Sequence, residues 1–390
     1  MALRALTGVL PGTGKIEVDI EDGIIVAVRR QSGPVAMPAE GTLDLLLPGL
    51  VDLQVNGIAG IDLNGGDLRP DDVVAIVHRL ATVGVTSFCP TIITAAADRM
   101  LAALAAIGEA MAGDPVVEAA VLGVHLEGPW ISPADGPRGA HPADHVRAAS
   151  ITELDAFLGA GAPVSIITLA PEVPAAIELT RAAVRAGVVV AIGHSAADPD
   201  AIRAAADVGA RLSTHLGNGV AAMLPRHPNL LWAQLGDDRL FASFIADGHH
   251  VDPATLATMV RAKRADRTIL VSDATAHCGM PPGLYTTAIG GKVELGEDGR
   301  LGMVGTPYLA GAARPLVDGL ALALSREIMN PDDAIAAVTS RPAALVGARG
   351  RGVIVPGARA DIVAARWSGD TGRIAVLETV AGGRVTEGTS

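Results

Sequence analysis

The sequence predicts an α/β protein: a (β/α)8 TIM-type barrel with a small β-sandwich domain built from both chain ends. Three observations lead there. From about Leu50 to Ala274, short apolar β-rich runs alternate with alanine-rich segments of helical period, the pattern of βα units around a parallel sheet. The runs number eight, which suits a closed barrel better than an open sheet. The 390 residues, 49% of them hydrophobic, suffice for one such barrel plus an accessory domain.

In chain order the expected barrel strands are Gly49–Val55, Val85–Cys89, Ala120–Leu126, Val164–Leu169, Val188–Ile192, Arg211–Thr214, Phe241–Ile245 and Thr268–Val271. Asp198-Pro199 and Asp252-Pro253 each place a capping carboxylate before a proline suited to a first helical turn. After Asp71, the apolar residues Val73, Val74, Val77 and Leu80 mark one buried helix face, with His78 beside it in a surface or packing role. At the ends, Ile16–Ile20, Gly23–Val28, Gly352–Val355 and Ala360–Ala365 read as short strands between Gly, Pro and Asp turns. Residues 1–47 and 346–390 are therefore expected to meet in the small β domain, with 48–345 forming the barrel.

The 30 basic and 42 acidic side chains give a net charge of −12, which argues against nucleic-acid or anionic-membrane partners. An anionic substrate would need a local basic pocket. Cys89 and Cys278 lie far apart, so neither a disulfide framework nor a thiolate metal site is suggested. Arg4 and Pro11 interrupt the first residues before a signal-peptide core could form, and a soluble cytoplasmic protein is expected.

In such barrels the reacting groups sit at the C-terminal ends of the strands. Here strand 3 ends in HLEGPW with Glu127, strand 5 in GHS with His194, strand 6 in STHLGN with His215, and strand 8 in VSDAT with Asp273. One carboxylate and two imidazoles would supply three ligands to a catalytic zinc and leave a position for water. Glu127, His194 and His215 are thus the expected ligands, and Asp273 the general base and acid. Any one of them alone would read as an ordinary hydrogen-bonded residue. Their joint placement on one rim favours a metal site. Two ions bridged by a carbamylated lysine would require a lysine at a strand end, but Lys15, Lys263 and Lys292 lie elsewhere. Strand 1 carries Gln54 and Asn56 where an H-x-H pair would serve a second ion, so one divalent ion per subunit is expected. Gln54 and Asn56 would orient its surroundings or simply stabilise the turn.

The motifs PGLVDLQVNG, GVHLEGPW, GAHP, AIGHS, THLGN, IADGHHVD and LVSDAT, in this order between about Leu46 and Val346, resemble the N-acetylglucosamine-6-phosphate deacetylase family of the amidohydrolase superfamily. The resemblance implies hydrolysis of the acetamide of a phosphorylated amino sugar, N-acetylglucosamine 6-phosphate, by the same metal ligands and Asp273. It further implies that His141, Ala140, Asn218, Gly219, Asp247 and His250 surround the substrate. Arg226 would reach the phosphate in the neighbouring active site of a homodimer. Two segments depart from the family pattern: Gly217-Asn218-Gly219-Val220, and Gly311–Leu316, where Arg314 and Leu316 are further substrate-side candidates. These departures leave N-acetylgalactosamine 6-phosphate or another N-acyl substrate as the alternative. A non-catalytic sugar-phosphate sensor is disfavoured because Asp273 is retained.

Overall fold

The computed structural model describes residues 4–287 and 291–388; residues 1–3 and 389–390 of the expected end domain lie outside the described residues. Eight parallel strands pair in chain order: β1 (Leu50–Val55), β2 (Val85–Ile93), β3 (Val124–Glu127), β4 (Val164–Leu169), β5 (Val189–Ile192), β6 (Leu212–Ser213), β7 (Phe241–Ile245) and β8 (Thr268–Val271). A parallel bridge from Val55 to Ala274 brings the first and last strands together. This is the expected TIM-type barrel.

Alternation along the strands explains its two cores. Val51, Leu53, Cys89, Ile166, Ala191, Leu212, Ile245, Ile269 and Val271 form one buried cluster. Their neighbours Leu50, Phe88, Ile167, Val190, Ile192, Phe244 and Leu270 belong to a larger cluster shared with the helices. Successive side chains on a strand point to opposite faces, so one set fills the bore and the other meets the helices. Each fully buried Phe or Leu contributes roughly 1.5–3 kcal/mol of transfer free energy.

Both expected proline-led helices form, Pro199–Asp207 and Pro253–Lys263, with Asp198 accepting from the Ala201 amide and Asp252 from those of Ala254 and Thr255. The helix Pro70–Thr82 buries Val73, Ile76, Val77 and Leu80, leaving Val74 half-buried and His78 exposed. The third strand starts later than the sequence suggests. Asp114 caps a short helix, Pro115–Ala120, which occupies the first residue of the expected strand.

The chain ends share a seven-stranded, mainly antiparallel sheet that includes Gly14–Glu21, Ile24–Arg30, Thr42–Pro48 and Asp361–Ser368. Ile16, Val18, Ile20, Ile25, Leu46, Ile362 and Val380 form its own small core, and a bridge between Ile24 and Arg359 shows the sheet rolled over that core. The expected strand Gly352–Val355 does not form. Gly352 adopts φ +65° against Thr339, where a Cβ would lie 2.4 Å from a backbone carbon. Val353 and Ile354 cover the small core instead of joining a ladder. A feature the sequence reading did not anticipate is a four-stranded antiparallel sheet, Gly283–Thr287, Gly291–Leu295, Arg300–Met303 and Leu309–Ala312, inserted after β8. Its apolar alternation is weak, because only Val293, Leu295, Leu301 and Ala313 form its buried cluster.

Asp361 ties the end sheet to the barrel. Its buried carboxylate accepts from Arg351 at 2.9 Å, Arg359 at 3.0 Å and the Gly382 amide at 3.1 Å, while Arg351 also donates to the Ala119 carbonyl at 2.7 Å. Removing one member of such a set leaves buried charge without a partner. Asp361→Ala is expected to lower unfolding stability by roughly 3–5 kcal/mol, read from urea denaturation of both proteins.

Candidate active site

The polar layer begins where the apolar bore ends. Glu127 closes β3, His194 follows β5, His215 follows β6 and Asp273 follows β8, so four strand ends on one rim of the barrel deliver them to one mouth. His194 (φ +51°), His215 (φ +29°) and Asp273 (φ +51°) all occupy left-handed backbone that non-glycine residues avoid. Such conformations cost about 1–3 kcal/mol each and persist where the surroundings impose them. At His215 the Ser243 hydroxyl receives the amide at 2.8 Å and helps to hold the turn.

Glu127 Oε1 is the centre of the site. It accepts from Gln54 Nε2 at 2.9 Å and lies 3.2 Å from His194 Nε2 and 2.9 Å from His215 Nε2. His141 Nε2 stands 3.3 Å from His194 Nε2 and 4.0 Å from Glu127 Oε2. All five residues are buried. Glu127, His141 and His194 offer ligand atoms within 4.8 Å of one another, a grouping able to hold a metal ion.

The donor set fits a cation. His194 Nδ1 lies 2.9 Å from the Pro137 carbonyl, which can only accept, so a neutral ring carries its proton there and presents a bare Nε2 to Glu127. Two lone pairs would then face each other inside the protein unless positive charge lies between them. Ligand atoms of a tetrahedral zinc are about 3.3 Å apart, and His194 Nε2 lies 3.2 Å from Glu127 Oε1 and 3.3 Å from His141 Nε2, with His215 Nε2 closer to the carboxylate at 2.9 Å. The carboxylate draws positive charge to this spot: burial would push Glu127 up, but the adjoining His194 and His215 outweigh it and hold the carboxyl well below the usual range. Burial likewise opposes charge on His215, yet Glu127 raises it.

Asp273 stands beside this group, and Asn56 Nδ2 donates to its Oδ1 at 2.7 Å. Burial, reinforced by the charge of Glu127, pushes its carboxyl upward. At the seam between β1 and β8, buried Asp52 accepts from the amides of Gln54 and Ser272, and burial raises it to about 7. Asp52 therefore fixes the backbone of Gln54 and of Ser272, the residue before Asp273.

These groups open into a cavity of about 570 Å³ whose wall includes Asn56, Glu127, Ala140, His141, His194, His215, Asn218, Gly219, His250 and Asp273. Asp247 turns away from it: its Oδ2 lies 2.7 Å from His250 Nδ1, leaving Nε2 of that ring free to face the cavity. Gln54 sits behind Glu127. Arg226 is exposed on a loop outside the lining, and Arg314 donates to the Asp298 carbonyl. Leu316 is buried in the core at the start of the helix Leu316–Ser325. The wall also contains Gly311, from the departing segment, and His249, His277, Asp62, Asn64, Leu309 and Ala310, to which the sequence reading gave no role. His249 and His277 adjoin the two best rim motifs, which was the only local signal for them. Neither lysine nor arginine occurs among the described lining residues, so the expected basic pocket is not built by this chain's own lining.

The amidohydrolase family model matches residues 45–386. The chain belongs to the amidohydrolase family. Among its relatives, this amidohydrolase is 34% identical over 351 residues to N-acetylgalactosamine-6-phosphate deacetylase of Escherichia coli O157:H7, covering 89% of this chain and 90% of that one. It is 35% identical over 331 residues to human N-acetylglucosamine-6-phosphate deacetylase, covering 82% and 79%. A mutant N-acetyl-D-glucosamine-6-phosphate deacetylase from Mycobacterium smegmatis, in complex with N-acetyl-D-glucosamine 6-phosphate, superposes with a TM-score of 0.84 at 28% identity, covering 99% of this chain and 100% of that one.

One glycine of the segment Gly217–Val220 has a physical consequence in this amidohydrolase. Gly219 has φ +59°, and a Cβ there would lie 2.8 Å from His194 Nδ1 and 3.0 Å from its Cε1. Gly139 flanks the same ring, with a Cβ position 3.3 Å from its Cε1. Gly219→Ala is expected to displace the imidazole and weaken metal retention by about tenfold, measured by chelator competition.

Proposed function

We propose that this amidohydrolase removes the acetyl group of N-acetylglucosamine 6-phosphate, releasing acetate and glucosamine 6-phosphate. The observation that carries the reading is the convergence of the Glu127–His194–His215 group and Asp273 on one cavity wall. The deacetylase relatives named above, of both sugar types, support the reaction class. On this reading Glu127, His194 and His215 hold one divalent ion, zinc by the nitrogen and oxygen character of the set. His194 and His215 are preferred because their Nε2 atoms approach the same carboxylate oxygen, whereas His141 lies farther from Glu127. The ion, when bound, would lower the pKa of a water molecule and polarise the acetamide carbonyl.

The chain's own groups supply the proton transfers and the positioning. Asp273 accepts the proton of the attacking water and returns it to the amine nitrogen as the C–N bond breaks, while Asn56 keeps the carboxylate aimed. His141, tied through Nδ1 to Thr94 Oγ1 at 2.8 Å, stands at the carbonyl end. His250, oriented by Asp247, faces the sugar with Ala140, Asn218 and Gly219. Because the lining contributes neither lysine nor arginine, Arg226 from a second copy in a homodimer is the proposed phosphate contact. A second reading, deacetylation of N-acetylgalactosamine 6-phosphate, is favoured by the 89% coverage of the Escherichia coli relative. No described helix is long and apolar enough to cross a membrane.

Acetate release from the two 6-phosphates and from unphosphorylated N-acetylglucosamine decides among these readings. Turnover confined to N-acetylglucosamine 6-phosphate is expected; turnover of the galactosamine isomer alone selects the second reading, and acetate from neither refutes both. Asp273→Asn should retain the metal while losing at least about 10²-fold in kcat. Arg226→Ala should act mainly on KM for the phosphorylated substrate, as lost uniform binding does. Chelation should abolish activity and lower Tm, with both restored by added zinc, in calorimetry run alongside the assay.

A further inference from the structure

Directly beneath the site lie three polar side chains that no catalytic step uses. His125, Thr168 and Thr214 are at most 2% exposed. His125 Nδ1 lies 3.1 Å from the Leu53 carbonyl, His125 Nε2 lies 2.7 Å from Thr168 Oγ1, and Thr168 Oγ1 lies 2.6 Å from Thr214 Oγ1. The Leu53 carbonyl only accepts, so Nδ1 donates to it. Neither partner of the ring is an anion, and in the neutral imidazole Nε2 then accepts from the Thr168 hydroxyl. With its proton used, the Thr168 oxygen accepts from Thr214. The donors all run one way, from β6 to β1.

The backbone ladder cannot supply these particular links. Pairing connects only adjacent strands, whereas His125 joins β3 to β1 and Thr168 joins β4 to Thr214 at the end of β6, each passing over one intervening strand. The connection matters most at β6, which pairs with β5 and with β7 at only two positions each. Thr214 immediately precedes His215, Leu53 immediately precedes Gln54, and His125 stands two residues before Glu127 on the same strand face. We propose that the chain Leu53–His125–Thr168–Thr214 is a positioning network that sets, across the bore of the barrel, the separation of Gln54, Glu127 and His215 required for metal binding.

The inference rests on the metal reading above, and the test separates the two. Thr168→Val keeps the shape and removes the hydroxyl that both donates and accepts; Thr168→Ser keeps the hydroxyl. Zinc affinity would be read by competition with a chromogenic chelator, and ligand geometry by the visible absorption of the cobalt-loaded protein. Thr168→Val is expected to bind zinc about 10- to 100-fold more weakly, with an altered cobalt spectrum, whereas Thr168→Ser matches the parent. Should the valine variant fail to fold, Thr214→Val, which removes only the terminal donor, should show a smaller shift in the same direction. A folded valine variant with parental affinity and spectrum would overturn the network's role while leaving the metal site intact. A parent protein that binds neither zinc nor cobalt would overturn the metal reading and this inference together.

Discussion

One buried carboxylate oxygen, Glu127 Oε1, organises this molecule. An amide donor and two imidazole nitrogens approach it within 3.2 Å, deep enough that water does not screen the charge. A buried anion of this kind must be matched by positive charge or hydrogen bonds. The barrel meets that demand from several directions at once: Gln54 from β1, His194 after β5 and His215 after β6. Unlike residues on a single loop, groups on separate strands hold their spacing only as well as the barrel holds its shape.

That dependence links the remote parts of the structure to the rim. Asp52 pins the backbone of Gln54 and of Ser272, next to Asp273, at the closing seam, where the ladder between the first and last strands is sparse. His194 and Asp273 accept positive φ values, local strain offset by the packing of the whole layer. Gly139 and Gly219 flank the His194 ring, so the absence of side chains there is part of how the ring is placed. The end sheet, fastened through Asp361 and its two arginines, covers one side of the same barrel.

Much of the fold was legible because periodicity reports burial directly. The strands at Val164–Leu169, Phe241–Ile245 and Thr268–Val271 form where their apolar runs lie, and the capped prolines at 199 and 253 start helices. The run at 352–355 looked equally apolar, yet it packs over the end core without pairing, because hydrophobicity specifies burial and not hydrogen-bond partners. The inserted sheet at 283–312 was missed for the opposite reason: its half-exposed strands carry too little apolar contrast to stand out.

At the site, the sequence by itself determined the chemical types and their strand-end positions: Glu127, His194, His215 and Asp273 each end or follow a barrel strand, and barrel topology brings such ends together. It could not determine which atoms meet. That Glu127 Oε1 is the shared contact, that His141 approaches His194 as closely as 3.3 Å, and that Asp247 serves His250 while Arg314 binds a carbonyl depend on side-chain directions set by packing. His249 and His277 reached the cavity wall by the same route, and Leu316 left it for the core. Local sequence fixes what a residue can do and which element carries it. Only the closed barrel, by bringing residues dozens of positions apart within hydrogen-bond range, decided which of those capacities face one another.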